Sequence, residues 1–392
     1  MRISRVIMLF LAGVPVVMST ACSEDVLGLF GGTSSSALSQ SASAGSVSST
    51  VTSISSSTST GSASSQADSV VYNGETYTGM GTVLNSASPV RYTYDKLVIT
   101  SPAVARFEAD GFFTLRGSNT DVSSNQYSVV YVTNLTTPSP RAYWFVRGNF
   151  EQRIWLPFGS GRYRVTVHKT TMTSQNLDYE GAISGWSYNT SSVTNGVYTF
   201  IVENTRNEDG RFYYPSYFVQ SDHALIRSKA TALLSGVSGV SNQIRRIHDF
   251  VVTNLEYDYS SISTNVGKRK RQDAVAALEN RMGVCEGYAQ LYAAILRSAG
   301  FEAKYLSGDA GGGHAWNTVF DGLVWRYIDT TWDDPGPNSH LPTNLRHTYF
   351  WMTYEQMSAD HSQESENPTR VVSRRSRGAG IEEIEVRVRT FD

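Results

Sequence analysis

The sequence is poor in cysteine, in charge and in long apolar runs. Two cysteines, Cys22 and Cys285, stand among 392 residues, which permits at most one disulfide and excludes Cys-rich zinc or iron–sulfur frameworks. Charged residues make up 17% of the chain, with 33 Lys plus Arg against 35 Asp plus Glu and a formal net charge of −2. The basic excess of a general nucleic-acid binder is missing, so no nucleic-acid partner is expected. Beyond the first two dozen residues, no apolar segment is long enough to span a bilayer. What the chain does have is length and apolar content: 392 residues, 40% hydrophobic, suffice for two ordinary domains with cores of their own.

The amino terminus accounts for the first cysteine. Arg2 and Arg5 precede the apolar stretch Val6–Met18, which ends in Ser19-Thr20-Ala21-Cys22, the pattern of a cleavable export signal over 1–22. Small residues leading straight to a cysteine resemble the lipobox of bacterial lipoproteins, which implies that Cys22 is lipidated and becomes the mature terminus. Ser19 and Pro15 depart from that pattern. A plain secreted protein cleaved near Ala21, or an uncleaved single-pass anchor, is the alternative. From Thr33 to Ser69 the sequence is almost wholly Ser, Thr, Ala and Gly and buries too little to offset the entropy of ordering, so segment 23–69 reads as a flexible tether with a span on the order of 40 Å. Membrane contact through the lipid and a position at the outer membrane or cell surface follow as expectations.

From 70 to 212 short β-branched and aromatic runs alternate with turn residues: Val90–Thr100, Val104–Ala109, Phe112–Arg116, Ser128–Thr133, Arg141–Val146, Gln152–Leu156, Tyr163–Lys169 and Val197–Val202. This spacing predicts an antiparallel β-sandwich. Its aromatics, among them Tyr143, Trp144, Phe145, Trp155 and Trp186, read as core, with a ligand surface as the rarer use. After Tyr213 the period changes. Ser221 or Asp222 can cap a helix to Leu234, and Ser241 a second one, in which Ile244, Ile247, His248, Val251 and Leu255 share a buried stripe. His248 therefore reads as a core histidine. The run Lys268–Arg271 reads as solvated surface before a third helix, Gln272–Asn280. The whole is an α+β chain.

The segment GVCEGYAQLYAAILRSAG, Gly283 to Gly300, predicts an amphipathic helix with Cys285 in its first turn. A thiol there meets unpaired amides and the positive end of the helix dipole, which favour the thiolate; a small cysteine that only packs is the alternative. Strands are predicted at Phe301–Ser307, His314–Phe320 and Val324–Asp329, with the glycine-rich loop Gly308–Gly313 between the first two. A histidine opening one strand and an acid closing its hairpin partner can lie side by side, so that the imidazole takes a thiol proton while the carboxylate fixes its tautomer.

GVCEGYA, GHAWN and YIDTTWDD, in that order, resemble the core of the bacterial transglutaminase-like superfamily, papain-like Cys-His-Asp proteins that include transglutaminases, cysteine peptidases and peptide:N-glycanases. The likeness runs from about Tyr214 to Met357, and FEQRIWLPFGSGRYRVTV is similar to the β-domain preceding the catalytic domain in secreted members. The resemblance implies a catalytic domain over 213–362, a polar tail over 363–392, Cys285 as nucleophile, His314 as general base and later acid, and Asp329 as the residue orienting His314. It also implies a thioester resolved by water or by an amine. The Cys285 amide and Tyr257 are the candidate oxyanion donors.

Other residues carry less. Glu286 points about 100° around the helix from Cys285 and reads as surface or capping, Trp316 and Trp332 as cleft walls, and Asp333 or Asp334 as lesser substitutes for Asp329. His340, His347 and His361, with Asp360, lack the paired spacing of a metal motif, so neither a metal nor a cofactor is expected. The expectation is a lipid-anchored thiol hydrolase acting on peptide or protein amides of the cell envelope. Transglutaminase or deamidase activity is one alternative, and a non-catalytic adhesion or scaffold protein is the other.

Overall fold

A computed structural model describes residues 68–91, 96–120, 127–136, 141–169, 198–262, 270–336 and 344–363, with the short strands 370–372 and 385–387. Cys22, the export signal, nearly all of the tether, Trp186, His340 and most of the polar tail lie outside the described residues. Among the described residues no helix is long and apolar enough to cross a membrane.

The first eleven strands are β1 (Ser69–Tyr72), β2 (Glu75–Asn85), β3 (Val90–Arg91), β4 (Leu97–Ser101), β5 (Arg106–Asp110), β6 (Phe112–Asn119), β7 (Ser128–Asn134), β8 (Arg141–Val146), β9 (Gly148–Trp155), β10 (Gly161–Lys169) and β11 (Tyr198–Asn204). One sheet has the order β1-β2-β5-β11-β10-β7-β8, with β3 also on β11, and a second has the order β4-β6-β9. Alternation sets the faces: Tyr163, Val165 and Val167 of β10 are buried while Arg162 and Arg164 are exposed. The buried faces of the two sheets share one core. Phe113 of β6 meets Phe200 of β11 edge-on with ring centroids 5.7 Å apart, a pair contributing on the order of 1 kcal/mol beyond its buried area.

Two features depart from the predicted antiparallel arrangement. Strand β11 pairs with β5 in parallel, Val202 opposite Phe107, because the excursion through β6–β10 brings the chain back in its original direction. The predicted strand Val90–Thr100 is divided between β3 and β4, which belong to different sheets. At the start, β1 and β2 form a hairpin whose two-residue turn, Asn73-Gly74, has φ of 50° and 84°, the type I′ geometry that matches strand twist.

The second region comprises helices α1 (Ala224–Leu234), α2 (Val240–Asn254), α3 (Ala274–Asn280) and α4 (Cys285–Ser298), the short parallel pair β12 (Glu256–Tyr257) and β13 (Met282–Gly283), and strands β14 (Ala303–Asp309), β15 (Gly313–Phe320) and β16 (Trp325–Ile328). A one-turn helix α5 (Tyr354–Met357) and β17 (Ser362–Gln363) follow, and β17 closes the sheet β16-β15-β14-β17. Helix α4 lies between this sheet and α1–α3, sharing a core with Ile226, Ile247, Val251 and Ala277 on one side and Ala303, Val319 and Ile328 on the other. The caps differ from the expected ones. His223 Nδ1, not Ser221 or Asp222, accepts the Leu225 amide of α1, and Gly239 rather than Ser241 precedes α2. Ser221 is held by the Tyr72 hydroxyl at 2.8 Å and Asp222 by Arg153 at 2.7 Å, so both side chains are committed to the strand-rich region.

Lys304 of β14 is buried, its Nζ 3.4 Å from the Trp325 ring centroid and 5.0 Å from that of Phe212. Burial pushes the ammonium down to about 7 against the opposing pull of Glu302. The unfolded chain then binds more protons than the native state from about pH 7 to about pH 10, and this group makes stability rise with pH over that window. Lys304→Met is therefore expected to be more stable than wild type at about pH 6, with the advantage shrinking toward about pH 10. Urea midpoints at the two pH values measure it; a difference independent of pH would refute the assignment.

Candidate active site

Helix α4 starts where the chain has been pinned from three sides. The Val284 amide donates to Oε1 of the buried Gln272 at 2.8 Å, and the Gly283 carbonyl accepts the Asp258 amide at 2.9 Å. The glycines of GVCEG are steric requirements: a Cβ on Gly287 would lie 2.7 Å from Gln272 Oε1, and one on Gly283 3.1 Å from Gly287 Cα. Cys285 is the first residue of the helix and is 3% exposed. No side-chain cap serves this terminus, so the first-turn amides point toward the thiol's surroundings.

His314 is the second residue of β15, and Asp329 directly follows β16. Their side chains meet, His314 Nε2 lying 2.7 Å from Asp329 Oδ2. Strand β15 is fixed by Asn317, the last residue of GHAWN, whose Nδ2 donates to the Ala289 carbonyl of α4 at 2.9 Å and the Lys304 carbonyl at 3.0 Å. That bond locks the histidine strand to the cysteine helix. Cys285 and His314 line one narrow cleft together with Glu286, Tyr305 and Ser307. Its free volume is about 10 Å³, on the order of one water molecule.

Asp329 is fully buried and saturated. Oδ2 also takes His361 Nε2 at 3.0 Å, while Oδ1 accepts the amides of Thr331 at 2.8 Å and Trp332 at 3.1 Å. Burial alone would push this carboxyl up, but the charge and hydrogen bond of His314 and the hydrogen bond of His361 outweigh it and hold it well below the usual carboxylate range. With Nε2–H donated to Asp329, the neutral His314 tautomer carries its lone pair on Nδ1. Trp316 and Trp332 pack around the imidazole, with centroids 6.0 Å and 5.6 Å from it; Trp316 is buried, and neither indole is among the residues lining the cleft.

Several sequence expectations resolve differently. Glu286 is 4% exposed and lines the cleft rather than the surface, because α4 is buried on every side. His248 is buried as expected, and its Nε2 lies 3.1 Å from Asp333 Oδ2. Asp333 is thereby engaged, and Asp334 takes the Tyr288 hydroxyl, which leaves Asp329 as the acid at His314. Tyr257 pairs through its backbone with Gly283, two residues before Cys285. Its ring packs 5.0 Å from that of Tyr259 and 6.3 Å from that of Tyr288, outside the residues lining the cleft. His361 was not read as part of the site; thirty-two residues separate it from Asp329 and no spacing rule joins them. His347 meets Asp249 at 2.7 Å, so His347 and His361, considered together in the sequence, belong to two separate clusters.

Residues 227–330 match the profile of the Transglutaminase-like superfamily. No curated protein matches the chain. Among solved structures, a proposed cysteine protease from Cytophaga hutchinsonii is 16% identical, with 64% of this chain and 74% of that one covered at a TM-score of 0.28. A structure described as a TGase is 20% identical over 27% of this chain and 30% of its own, with a TM-score of 0.23. The periplasmic domain of TgpA from Pseudomonas aeruginosa, bound to ethylmercury, is 15% identical over 54% of this chain and 91% of its own, with a TM-score of 0.24.

A carboxylate whose folded value is lowered contributes stability that is present above its unfolded value of about pH 4 and lost as pH falls through the folded one. Asp329→Asn is expected to cost about 3 kcal/mol at neutral pH and to flatten the decline of the urea midpoint between about pH 4 and about pH 2. Superimposable acid limbs for the two proteins would remove Asp329 as the controlling group.

Proposed function

We propose, from the premise that residues 227–330 form a transglutaminase-like domain, that the protein is a thiol enzyme that cleaves amide bonds of peptides or proteins. Cys285 is its nucleophile, His314 its base and Asp329 the residue that orients the base. The observation that carries this reading is the His314–Asp329 hydrogen bond of 2.7 Å beside a cleft that the imidazole shares with a thiol at a helix start. His314 Nδ1 takes the Cys285 Sγ proton, and the thiolate adds to the substrate carbonyl carbon. The Cys285 amide then donates to the oxyanion. Collapse breaks the C–N bond, with the leaving amine taking its proton from His314. Water, deprotonated by the same imidazole, adds to the thioester carbonyl, the C–S bond breaks to release the acid, and the imidazole returns its proton to Cys285 Sγ. Hydrolysis is preferred to transfer because water is the default acceptor unless a structured amine site excludes it, and no sequence feature marks one.

The same proposal places the enzyme outside the cytoplasm, carried by the 1–22 signal, anchored through lipid on Cys22 and held off the membrane by the 23–69 tether, with its substrates in the cell envelope. The two-sheet region is read as a β-sandwich that presents the catalytic region. Tyr257 is the side-chain candidate for a second oxyanion donor. Its strand adjoins β13 at Gly283, two residues before the nucleophile.

The reading is tested by incubating the purified protein with a peptide library, with and without an added primary amine, and following products by mass spectrometry. New amino termini are expected; a one-dalton gain on Gln, or amine adducts, would instead identify a deamidase or a transferase. Cys285→Ala and His314→Ala should each lose roughly 10³-fold or more, and activity retained in Cys285→Ala would end the triad proposal. In Tyr257→Phe, a loss of roughly 10²-fold in kcat at unchanged KM identifies a hydroxyl donor, and unchanged kcat identifies a packing ring.

A further inference from the structure

We propose that His248, Asp249 and His347 form a binding site for a divalent transition-metal ion of the zinc type, separate from the thiol site. His248 and Asp249 are adjacent on α2, and His347 comes from the segment that follows β16. One donor atom from each residue lies within 4.8 Å of the other two. Asp249 Oδ1 sits between the imidazoles, 3.1 Å from His248 Nδ1 and 2.7 Å from His347 Nε2. Two ligands on a tetrahedral zinc at ordinary bond lengths are about 3.3 Å apart, so both contacts to Asp249 Oδ1 must lengthen to admit an ion, and the two imidazole nitrogens, within 4.8 Å of each other, must come to the same separation.

The donor chemistry selects the ion. Two imidazoles and one carboxylate suit zinc and its neighbours, whereas calcium and magnesium require more oxygen ligands. The other His248 nitrogen, Nε2, lies 3.1 Å from Asp333 Oδ2, the outer carboxylate that orients a metal-bound imidazole and strengthens it as a donor. Binding replaces with the ion any proton held between Asp249 Oδ1 and either His248 Nδ1 or His347 Nε2, and each displaced proton moves to the other ring nitrogen or leaves to solvent. His347 and Asp249 side chains are each about a quarter exposed, which gives the ion an entry path and water a place in its coordination sphere.

A second trio of suitable residues, His314, Asp329 and His361, lacks these properties. Asp329 and His361 are fully buried, which leaves an ion no entry path. The remaining carboxylate oxygen already holds two backbone amides. An ion at His248, Asp249 and His347 would tie α2 to the segment carrying His347 and, through Asp333, to the turn that begins at Asp329. Cys285 is the one cysteine among the described residues and has no second cysteine there to bridge to, so a metal staple would supply a cross-link that cysteine does not.

The test starts from the full protein stripped with a chelator and uses zinc ions against a competing chromophoric chelator. One equivalent is expected to bind and to raise the thermal unfolding midpoint by about 5 °C or more at saturation. His347→Ala and Asp249→Asn should each weaken binding by at least about 100-fold and abolish the shift; the second variant keeps the side-chain shape, so a folding defect in the first leaves the result readable. Cys285→Ala should bind as wild type does. A cobalt(II) derivative should show visible bands of nitrogen and oxygen coordination without a near-ultraviolet thiolate band. Absence of saturable binding, binding that survives Asp249→Asn, or a thiolate band that disappears in Cys285→Ala would each overturn the proposal.

Discussion

The structure depends on burying helix α4 on every side. Each residue from Cys285 to Arg297 is buried, so the helix has no face open to water, and most polar groups at its ends must find partners on the surrounding elements. At the carboxyl end the Arg297 carbonyl accepts the Tyr72 hydroxyl at 3.1 Å and Asn73 Nδ2 at 2.8 Å. The buried Arg297 guanidinium in turn donates to the Tyr214 carbonyl at 2.9 Å and the Ala303 carbonyl at 3.0 Å. A cation at a helix carboxyl terminus is favourably placed against the dipole. The β1–β2 hairpin of the strand-rich region thus completes a helix of the other region, and Asn73, whose left-handed conformation makes the turn, also supplies one of the donors.

The opposite end cannot be closed in the same way without losing the site. Cys285 occupies the first helical position, where a conventional Ser or Asp cap one residue earlier would consume the amides a developing oxyanion needs. Val284 stands there instead, in extended conformation and with no capping side chain. The position is fixed from behind, by Gln272 on the Val284 amide and by the tight approach of Gly283 to Gly287. Burial therefore explains both ends: at one, donors from elsewhere complete the helix, and at the other, packing replaces the cap and leaves amides for chemistry.

Local pattern carried part of this. The period of Tyr288, Leu291, Tyr292, Ile295 and Leu296 marks a helix whose observed limits fall within two residues of the predicted ones, and Cys285, His314 and Asp329 were legible as separate motifs because each sits at an element boundary. Total burial of α4 was not legible, since amphipathic spacing implies one wet face; the error about Glu286 follows directly. The partners of Asp329 and of His248 were hidden for a different reason. His361 and Asp333 act through contacts across 32 and 85 residues of sequence, and no periodicity reports a hydrogen bond of that kind. The parallel pairing of β11 with β5 was equally silent, because alternation fixes a strand's faces and leaves its direction open.

The segment YIDTTWDD shows how one motif serves both purposes. Its three carboxylates face three different elements: Asp329 meets His314 on β15, Asp333 meets His248 on α2, and Asp334 meets the Tyr288 hydroxyl on α4. The turn also closes on itself through the Asp329 side chain and the Thr331 and Trp332 amides, while Tyr349 donates its amide to Asp333 and accepts that of Asp329. Each contact taken alone is an ordinary hydrogen bond. Together they leave the turn no direction in which to move without breaking one that is buried, where the cost of an unpaired group is highest. The orientation of the His314 imidazole is thus set by the whole turn, with Asp333 and Asp334 acting on the site through the position they impose on Asp329.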